Sequence, residues 1–230
     1  YKPFTFFSIL CAGFHYDESS KKSISFFRSF PNNEFAQGAP LREVEIASTL
    51  KMSRSPVREA LRDLESEGVV VSYPGRGTFV ATITPYDVEE IYELRAMFEE
   101  YALRKAFNRI TKEELDQTEA NFTAPNEPFN WEQYHKADRS FHQLYIDKCG
   151  SRRLIQFLST LNFQVERIRR YSDRSKSRSS QERLVEHLEI IQHIRLGDLE
   201  GSIKALRVHL RNVSNSAIET SRELMAQTPF

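Results

Sequence analysis

The run Ser53–Leu64 constrains the fold more than any other stretch of this sequence, because it describes a helix with two faces of different chemistry. Apolar residues recur at three- and four-residue spacing along one face, namely Val57, Ala60, Leu61 and Leu64. Arginines recur at every fourth position on another face, namely Arg54, Arg58 and Arg62. The sequence therefore predicts a helix that packs on a core through one face and offers cations to a phosphate-lined surface through the other.

A second predicted helix precedes this one and completes a helix-turn-helix. Glu43–Leu50 carries apolar residues on one side, and the three residues 51–53 that follow are sufficient only for a turn. Ser53 or Ser55 can cap the second helix, because both side chains can accept hydrogen bonds from backbone N–H groups of its first turn. We expect Met52 to enter the core that the two helices share.

Two β-prone runs follow the helices, Val69–Tyr73 and Thr78–Ala81, and the segment Pro74–Gly77 between them supplies the permissive backbone of a turn. Arg76 lies at the tip of this predicted hairpin. A surface-charged helix beside an ordinary hairpin is the alternative interpretation. The consecutive order of helix, turn, helix and glycine-rich hairpin favours a winged helix-turn-helix that binds DNA.

This part of the sequence resembles the winged-helix domain of the GntR superfamily of transcription regulators. The resemblance is carried by Leu41–Ala47, Ser53–Gly68 and Pro74–Val80. It implies that Arg54 and Arg58 meet operator DNA in the major groove. It also implies that Gly75 and Arg76 carry the wing into the minor groove. The complete set of candidate DNA-binding residues is Arg54, Ser55, Arg58, Arg62, Gly75 and Arg76.

Two positions depart from the pattern of that family. Val44 stands where some members have a DNA-contacting arginine, and Lys51 replaces the usual glycine of the turn. The resemblance therefore implies contact with double-stranded DNA but does not define the operator sequence.

Length and composition bound the remaining possibilities. The chain has 230 residues, enough for two modest domains, and its 32 Lys and Arg balance 32 Asp and Glu. The placement of the arginines, rather than the net charge, must therefore carry the argument for DNA binding.

The cysteines and the N-terminus bear on the location of the protein. Cys11 and Cys149 lie far apart without ligand spacing, as expected in a reducing compartment. Phe4–Phe14 lacks the basic flank and cleavage site of an export signal, so we expect a cytoplasmic protein with no membrane partner.

The sequence divides into three predicted parts. Residues 1–30 form an N-terminal extension of unclear role, in which Lys21–Phe30 is a candidate helix. Residues 31–83 form the winged helix-turn-helix, and residues 84–230 show helical patterns with no strand signal. The fold class is therefore mainly α, with an N-terminal winged domain and a C-terminal antiparallel bundle.

Six helices are predicted in the C-terminal part. Thr84 or Asp87 opens the first, along which apolar residues keep helical spacing, namely Ile91, Leu94, Phe98, Tyr101, Ala102 and Phe107. A capping box of Thr111 and Glu114 opens the second. The remaining four are Trp131–Lys148, Arg153–Tyr171, Gln181–Leu196 and a last helix from Asp198 or Ser202 to about Met225. A polar run, Ser172–Ser180, is predicted to be a loop.

Four polar residues lie on the apolar stripes of these helices. Asp138 and His142 are one turn apart on the third helix, and His187 and His209 lie on the fifth and sixth. Taken singly, a histidine on such a stripe is more often a hydrogen-bonded core residue than a metal ligand. One carboxylate with three imidazoles is nevertheless a donor set that suits Zn, Ni or Mn. Together the four residues therefore support the hypothesis of a divalent transition-metal site.

The C-terminal part also resembles the FCD type, the effector domain of the FadR subgroup of GntR regulators. The matching positions are Glu93 to Arg95, Asp138, Phe141, His142, His187, Ile190, Gly197, Asp198 and His209. In metal-binding domains of this type the Asp and His positions are ligands, and the same site receives a small carboxylate. The resemblance thus implies ligand roles for Asp138, His142, His187 and His209. Arg95 and Arg169 are candidate partners of the carboxylate, and an ordinary surface or ion-pair role is an equal alternative for each.

The sequence as a whole predicts a ligand-responsive transcription regulator that acts as a homodimer and a repressor. A metalloenzyme is one alternative, although no HExxH or nucleophile motif occurs to supply the catalytic machinery. A constitutive DNA-binding protein with a purely structural metal site is the other. Repression is only the expected sign of regulation, because the sequence leaves activation open. It also leaves open the identities of the metal, the effector, the operator and the regulated genes.

Overall fold

The computed structural model describes residues 37–123, 130–172 and 180–227. The predicted extension over residues 1–30, including Lys21–Phe30, lies outside the described residues. So does most of the predicted loop Ser172–Ser180. The chain forms two compact units. The first runs to Ile83 and includes Asn162–Arg170, and the second comprises Thr84–Leu161 and the chain from Tyr171 onward.

The first unit contains the predicted winged helix-turn-helix. Helix α1 spans Glu43–Thr49 and helix α2 spans Arg54–Ser66. Strands β2 (Val70–Tyr73) and β3 (Gly77–Val80) form the wing, and a short strand β1 (Pro40–Leu41), absent from the sequence prediction, adds to β3 in the antiparallel order β1-β3-β2. The core buries the predicted apolar stripe of α2 together with residues of α1 and the sheet: Leu41, Ile46, Ala47, Val57, Ala60, Leu61, Leu64, Val69, Val70 and Val80.

The prediction that Met52, in the turn between α1 and α2, enters the core is wrong. Met52 is 37% exposed instead of lying in the core. The reason is the end of α1, where the Met52 N–H donates to the Ala47 carbonyl at 3.0 Å and the Lys51 N–H donates to the Ser48 carbonyl at 3.2 Å. This pair of bonds defines a Schellman motif, and it requires left-handed backbone at Lys51, whose φ is +53°. A lysine thus occupies a position that normally favours glycine, and the motif directs Met52 outward.

Part of a later helix belongs to the first unit. In the segment Asn162–Arg170 the buried Arg167 donates to the carbonyls of Gly68 at 3.0 Å and Ala81 at 2.9 Å. These carbonyls immediately follow α2 and β3, so the arginine supplies donors to backbone groups at the ends of both elements.

The second unit is the predicted six-helix bundle. Its helices are α3 (Pro85–Ala106), α4 (Lys112–Thr123), α5 (Trp131–Lys148), α7 (Ser180–Arg195), α8 (Leu199–Gln227) and the part of α6 (Arg152–Ser172) outside Asn162–Arg170. A 3₁₀ turn, Phe107–Arg109, extends α3. Helix α8 packs on α3 and α7, and α5 packs on α3 and α4. Among the described residues, no helix is both long and apolar enough to cross a membrane.

Two capping boxes fix the starts of α3 and α4, as the sequence predicted. The Asp87 N–H donates to the Thr84 hydroxyl at 3.1 Å, and the Thr84 N–H donates back to the Asp87 carboxylate at 2.7 Å. Thr111 and Glu114 exchange the equivalent bonds at 2.9 and 3.3 Å. Local sequence therefore determines where the bundle begins.

The buried face of α3 matches the predicted stripe only in part. Ala102 is buried and Phe98 packs against the core, as predicted, but Leu94 and Tyr101 are exposed. The face toward the core also carries Arg95 and Glu99. Apolar residues occur on both sides of this helix, so periodicity alone did not select the buried side. The consequence is an ion pair inside the bundle, close to the candidate site.

Candidate functional site

Three helices bring the four predicted metal ligands to one place in the bundle. Asp138 and His142 come from α5, His187 from α7 and His209 from α8. One candidate ligand atom from each residue lies within 4.8 Å of those of the other three. All four side chains are buried. A set of residues that is dispersed over 72 positions of sequence thus forms one compact polar cluster.

Each histidine of the cluster is fixed through its Nδ1 atom. His142 Nδ1 lies 2.6 Å from Oε2 of Glu99, and His209 Nδ1 lies 2.9 Å from Oε2 of Glu186. His187 Nδ1 lies 2.8 Å from the Arg183 carbonyl. Carboxylates and carbonyls only accept hydrogen bonds, so each Nδ1 must carry the proton and donate it. Every Nε2 then holds a lone pair.

Those Nε2 atoms face one another and a carboxylate. Nε2 of His187 is 3.1 Å from Oδ1 of Asp138, and Nε2 of His142 is 3.9 Å from the same oxygen. Although the first distance is within ion-pair range, its alignment is not that of a hydrogen bond: within the described part of the chain, Nε2 of both histidines lacks a hydrogen-bond partner. Two buried acceptor atoms without a hydrogen-bond partner are unfavourable, and a cation beside Asp138 would bind both lone pairs.

Burial also affects the protonation of two of the imidazoles. Burial first, and then the neighbouring His187 and His142, lower the pKa of His209 to about 3. Burial likewise lowers the pKa of His142, although Glu99 opposes the shift. Neutral imidazoles at pH 7 are the form that binds metal.

Glu99 is a buried neighbour of the cluster that the sequence analysis missed. Its side chain is completely buried. Burial acts to raise the pKa of this carboxyl, but Arg95 and His142 outweigh it and hold the pKa far below its usual range. The one available sequence signal was its position one turn after Arg95. Glu186 was also missed. Its carboxylate lies 2.9 Å from Nδ1 of His209 and accepts a hydrogen bond from Asn212 at 2.6 Å, and neither partner is near it in sequence.

The two arginines predicted to bind an effector lie in different surroundings. Arg95 is buried, and its Nε lies 2.5 Å from Oε1 of Glu99. Only Glu99 therefore lies between Arg95 and the candidate ligand His142. Arg169 is also buried, belongs to the Asn162–Arg170 segment of the first unit and donates to Glu166 at 2.7 Å.

The predicted DNA-binding residues of α2 lie on its exposed face. Arg54, Ser55, Arg58 and Arg62 are all exposed. Glu43 of α1, which the sequence analysis did not select, accepts two hydrogen bonds from Arg58 at 3.0 and 2.9 Å and one from Arg54 at 3.2 Å. The Arg58 hydrogen bond is the main reason that the pKa of Glu43 lies below its ordinary value. The arginines are thus held beside each other on an open surface.

The wing presents its predicted residues at a three-residue turn. Tyr73 pairs with Gly77 across the hairpin, so that residues 74–76 form the loop. Gly75 has a φ of +74°, a conformation that favours glycine, and the exposed Arg76 places its guanidinium 5.7 Å from the centroid of the Tyr73 ring.

Family comparisons match both units. Residues 31–80 match the model of the bacterial regulatory proteins of the gntR family, and residues 90–212, more than half of the chain, match the FCD domain. The chain belongs to the GntR family of bacterial transcription regulators. It carries the FCD effector domain of that family, as the resemblance implied.

Individual relatives agree with this assignment. The Nta operon transcriptional regulator of Aminobacter aminovorans is 30% identical over 68% of this chain and 73% of its own length. The transcriptional repressor RspR of Escherichia coli K12 is 27% identical over 82% of this chain and 83% of its own length. A solved GntR regulator from Rhodococcus sp. RHA1 shares the fold, with a TM-score of 0.66, 22% identity and coverage of 80% of this chain and 89% of that one. These matches are to transcription regulators, so the metalloenzyme alternative is set aside.

Proposed function

We propose that this GntR regulator is a cytoplasmic homodimeric repressor whose bundle binds one divalent transition metal and a small carboxylate effector. The observation that carries the proposal is the arrangement of the cluster. Three imidazoles are fixed through Nδ1, and the Nε2 atoms of two of them, His187 and His142, lie 3.1 and 3.9 Å from Oδ1 of Asp138. A candidate ligand atom of His209 lies within 4.8 Å of those of the other three residues. Zn, Ni and Mn all accept this donor set.

The proposed ligands are Asp138, His142, His187 and His209. When bound, the metal would supply positive charge and open coordination positions, since an octahedral ion held by four protein groups retains two positions for water or an effector carboxylate. Arg95 and Arg169 remain the candidate partners of that carboxylate. Arg95 has the stronger support, because it is linked to His142 through Glu99.

The DNA-binding role follows from the exposed surface of the first unit. We propose that Arg54, Ser55, Arg58 and Arg62 of α2 enter the major groove and that Gly75 and Arg76 of the wing approach the minor groove. The exposure of these side chains supports the assignment. The sign of regulation is supported by the relative RspR, which is named a repressor.

The homodimer is supported by the outer face of α3. Met97 is 67% exposed at its centre, with Leu94 and Tyr101 beside it. The Arg104 guanidinium, one turn beyond Tyr101, is already paired within the chain with Glu200 and Glu100, so the apolar residues carry the argument. A contiguous exposed apolar surface of this kind favours packing against a second copy.

Sedimentation of a Met97→Glu variant tests the dimer. The substitution places two like charges at the axis, so we expect monomers where the unmodified protein forms dimers. Val185→Glu is the matched control, since Val185 is 57% exposed on α7 and lies outside this face. Equal dimerisation of both variants would exclude the α3 face.

Calorimetry of metal-loaded protein with a panel of small mono-, di- and tricarboxylic acids tests the effector. Binding of one acid, with a change in operator affinity in the same preparation, is the expected result. A purely structural metal is the competing function, and the burial of all four ligands favours it, because structural sites are closed. Metal binding without any response to an acid would support that alternative.

A further inference from the structure

We infer that Glu99 is the positioning residue of the metal centre and that it links Arg95 to the metal ligand His142. The inference rests on the metal site proposed above and deepens it. In this arrangement, an effector carboxylate that binds Arg95 would contact the direct partner of Glu99, and Glu99 orients the metal ligand His142.

The contacts of Glu99 divide between its two oxygens. Oε1 accepts from Arg95 Nε at 2.5 Å. Oε2 lies 2.6 Å from His142 Nδ1 and also accepts from the hydroxyl of Tyr145. The side chain is 0% exposed, so water does not compete for these positions. One carboxylate therefore binds a cation through one oxygen and an imidazole through the other.

This division fixes the tautomer of His142. A carboxylate only accepts, so Nδ1 of His142 carries the proton and Nε2 retains the lone pair. Nε2 is also the atom 3.9 Å from Asp138, on the side of the other candidate ligands. A glutamine at position 99 offers both an acceptor and a donor, and it would allow the opposite tautomer, in which Nε2 is protonated and cannot bind a metal.

Arg95 acts on His142 through the carboxylate. A buried carboxylate needs a charged partner, and Arg95 is the cation on its other oxygen. Replacement of Arg95 should therefore disturb His142 only while Glu99 is present. The effects of changing Arg95 and Glu99 on metal affinity should consequently be far from additive.

Two measurements test the inference, and the first needs no metal. Nitrogen-15 NMR of the imidazoles in chelator-treated protein should show His142 protonated at Nδ1, and Glu99→Gln should shift the signal toward a tautomer mixture. A predominant Nε2-protonated His142 in the unmodified protein would overturn the inference, whether or not the variant folds.

The second measurement is the zinc dissociation constant by competition with a chromophoric chelator. We expect Glu99→Gln to weaken binding by roughly 10- to 100-fold. Glu100→Gln is the matched control, because Glu100 is the next residue and pairs at the surface with Arg104 and Arg207. The double variant Arg95→Met/Glu99→Gln should bind zinc as Glu99→Gln does.

The outcomes separate the two proposals. Tight zinc binding by the unmodified protein, with equal binding by Glu99→Gln, would overturn the positioning role and leave the metal site standing. Additive losses from Arg95→Met and Glu99→Gln would overturn the link to Arg95. Failure of the unmodified protein to bind zinc, nickel and manganese would overturn the metal site and with it this inference.

Discussion

Glu43 holds Arg58 through two hydrogen bonds, one to each carboxylate oxygen, at 3.0 and 2.9 Å. The pair joins the first helix of the helix-turn-helix to the second, on the surface that the family presents to DNA. A two-bond contact fixes the plane of the guanidinium, so Arg58 is oriented before it meets a base. Neither residue contributes to the core, so we expect the pair to serve the proposed DNA recognition more than folding.

Arg58→Ala should reduce affinity for the operator by up to about a hundredfold, because one bidentate contact to a base is lost. The melting temperature should stay unchanged, since the side chain is half exposed. Gel shifts measure the affinity, with a genomic DNA fragment from upstream of the gene that encodes this regulator. Lys136→Ala, which removes one exposed charge from α5, is the control, and equal affinity of the two variants would contradict the role of Arg58.

Lys51→Gly should stabilise the winged domain by about 1 kcal/mol. Lys51 has a φ of +53°, and left-handed backbone costs a residue with a side chain roughly 1–2 kcal/mol, of which the greater freedom of glycine in the unfolded chain cancels part. Urea denaturation measures the change. Glu59→Gly, in the exposed middle of α2, should lower stability by a similar amount. Destabilisation by both variants would show that Lys51 is not strained.

The metal-free protein should lose stability as the pH falls. Burial lowers the pKa of His209 in the folded state to about 3, whereas the unfolded chain titrates near 6.5. Below about pH 6.5 the unfolded state therefore binds more protons than the folded state. The free energy of unfolding then decreases by about 1.4 kcal/mol per pH unit until the pH reaches the folded-state pKa of His209. Between pH 7.5 and 5 the loss from His209 alone is about 2 kcal/mol.

Urea denaturation in the presence of a chelator measures this dependence. The lowered pKa of His142 acts in the same direction, so the total loss should exceed that of His209. A His209→Gln variant should show a shallower slope over the same range. Stability that is flat or higher at pH 5 would mean that these imidazoles are not buried in their neutral form.

Much of the fold could be predicted from the sequence, because its signals are local. The caps at Thr84 and Thr111 mark helix starts, and the stripe of α2 marks the side that packs. Family resemblance selected the candidate ligands, and the periodicity of three helices correctly placed these residues in the interior of the bundle. Met52 was placed wrongly, since its direction depends on a left-handed residue before it.

The partners of the ligands could not be predicted in this way. Glu99 and Glu186 are glutamates on helices, and a glutamate on a helix is usually a surface residue. Their roles arise only when α3 approaches α5 and α7 approaches α8. The buried side of α3 was missed for a related reason, because Leu94 and Tyr101 give its outer face an apolar pattern of its own.

Metal content measured together with thermal stability tests the central claim most directly. Protein purified without a histidine tag should contain about one divalent transition ion per chain. Removal of the ion by chelation should lower the melting temperature, and readdition should restore it, since binding at a thousandfold excess over the dissociation constant is worth about 4 kcal/mol. Protein that contains no metal, and whose melting temperature does not respond to Zn, Ni or Mn, would show that Asp138, His142, His187 and His209 are only polar residues of the core.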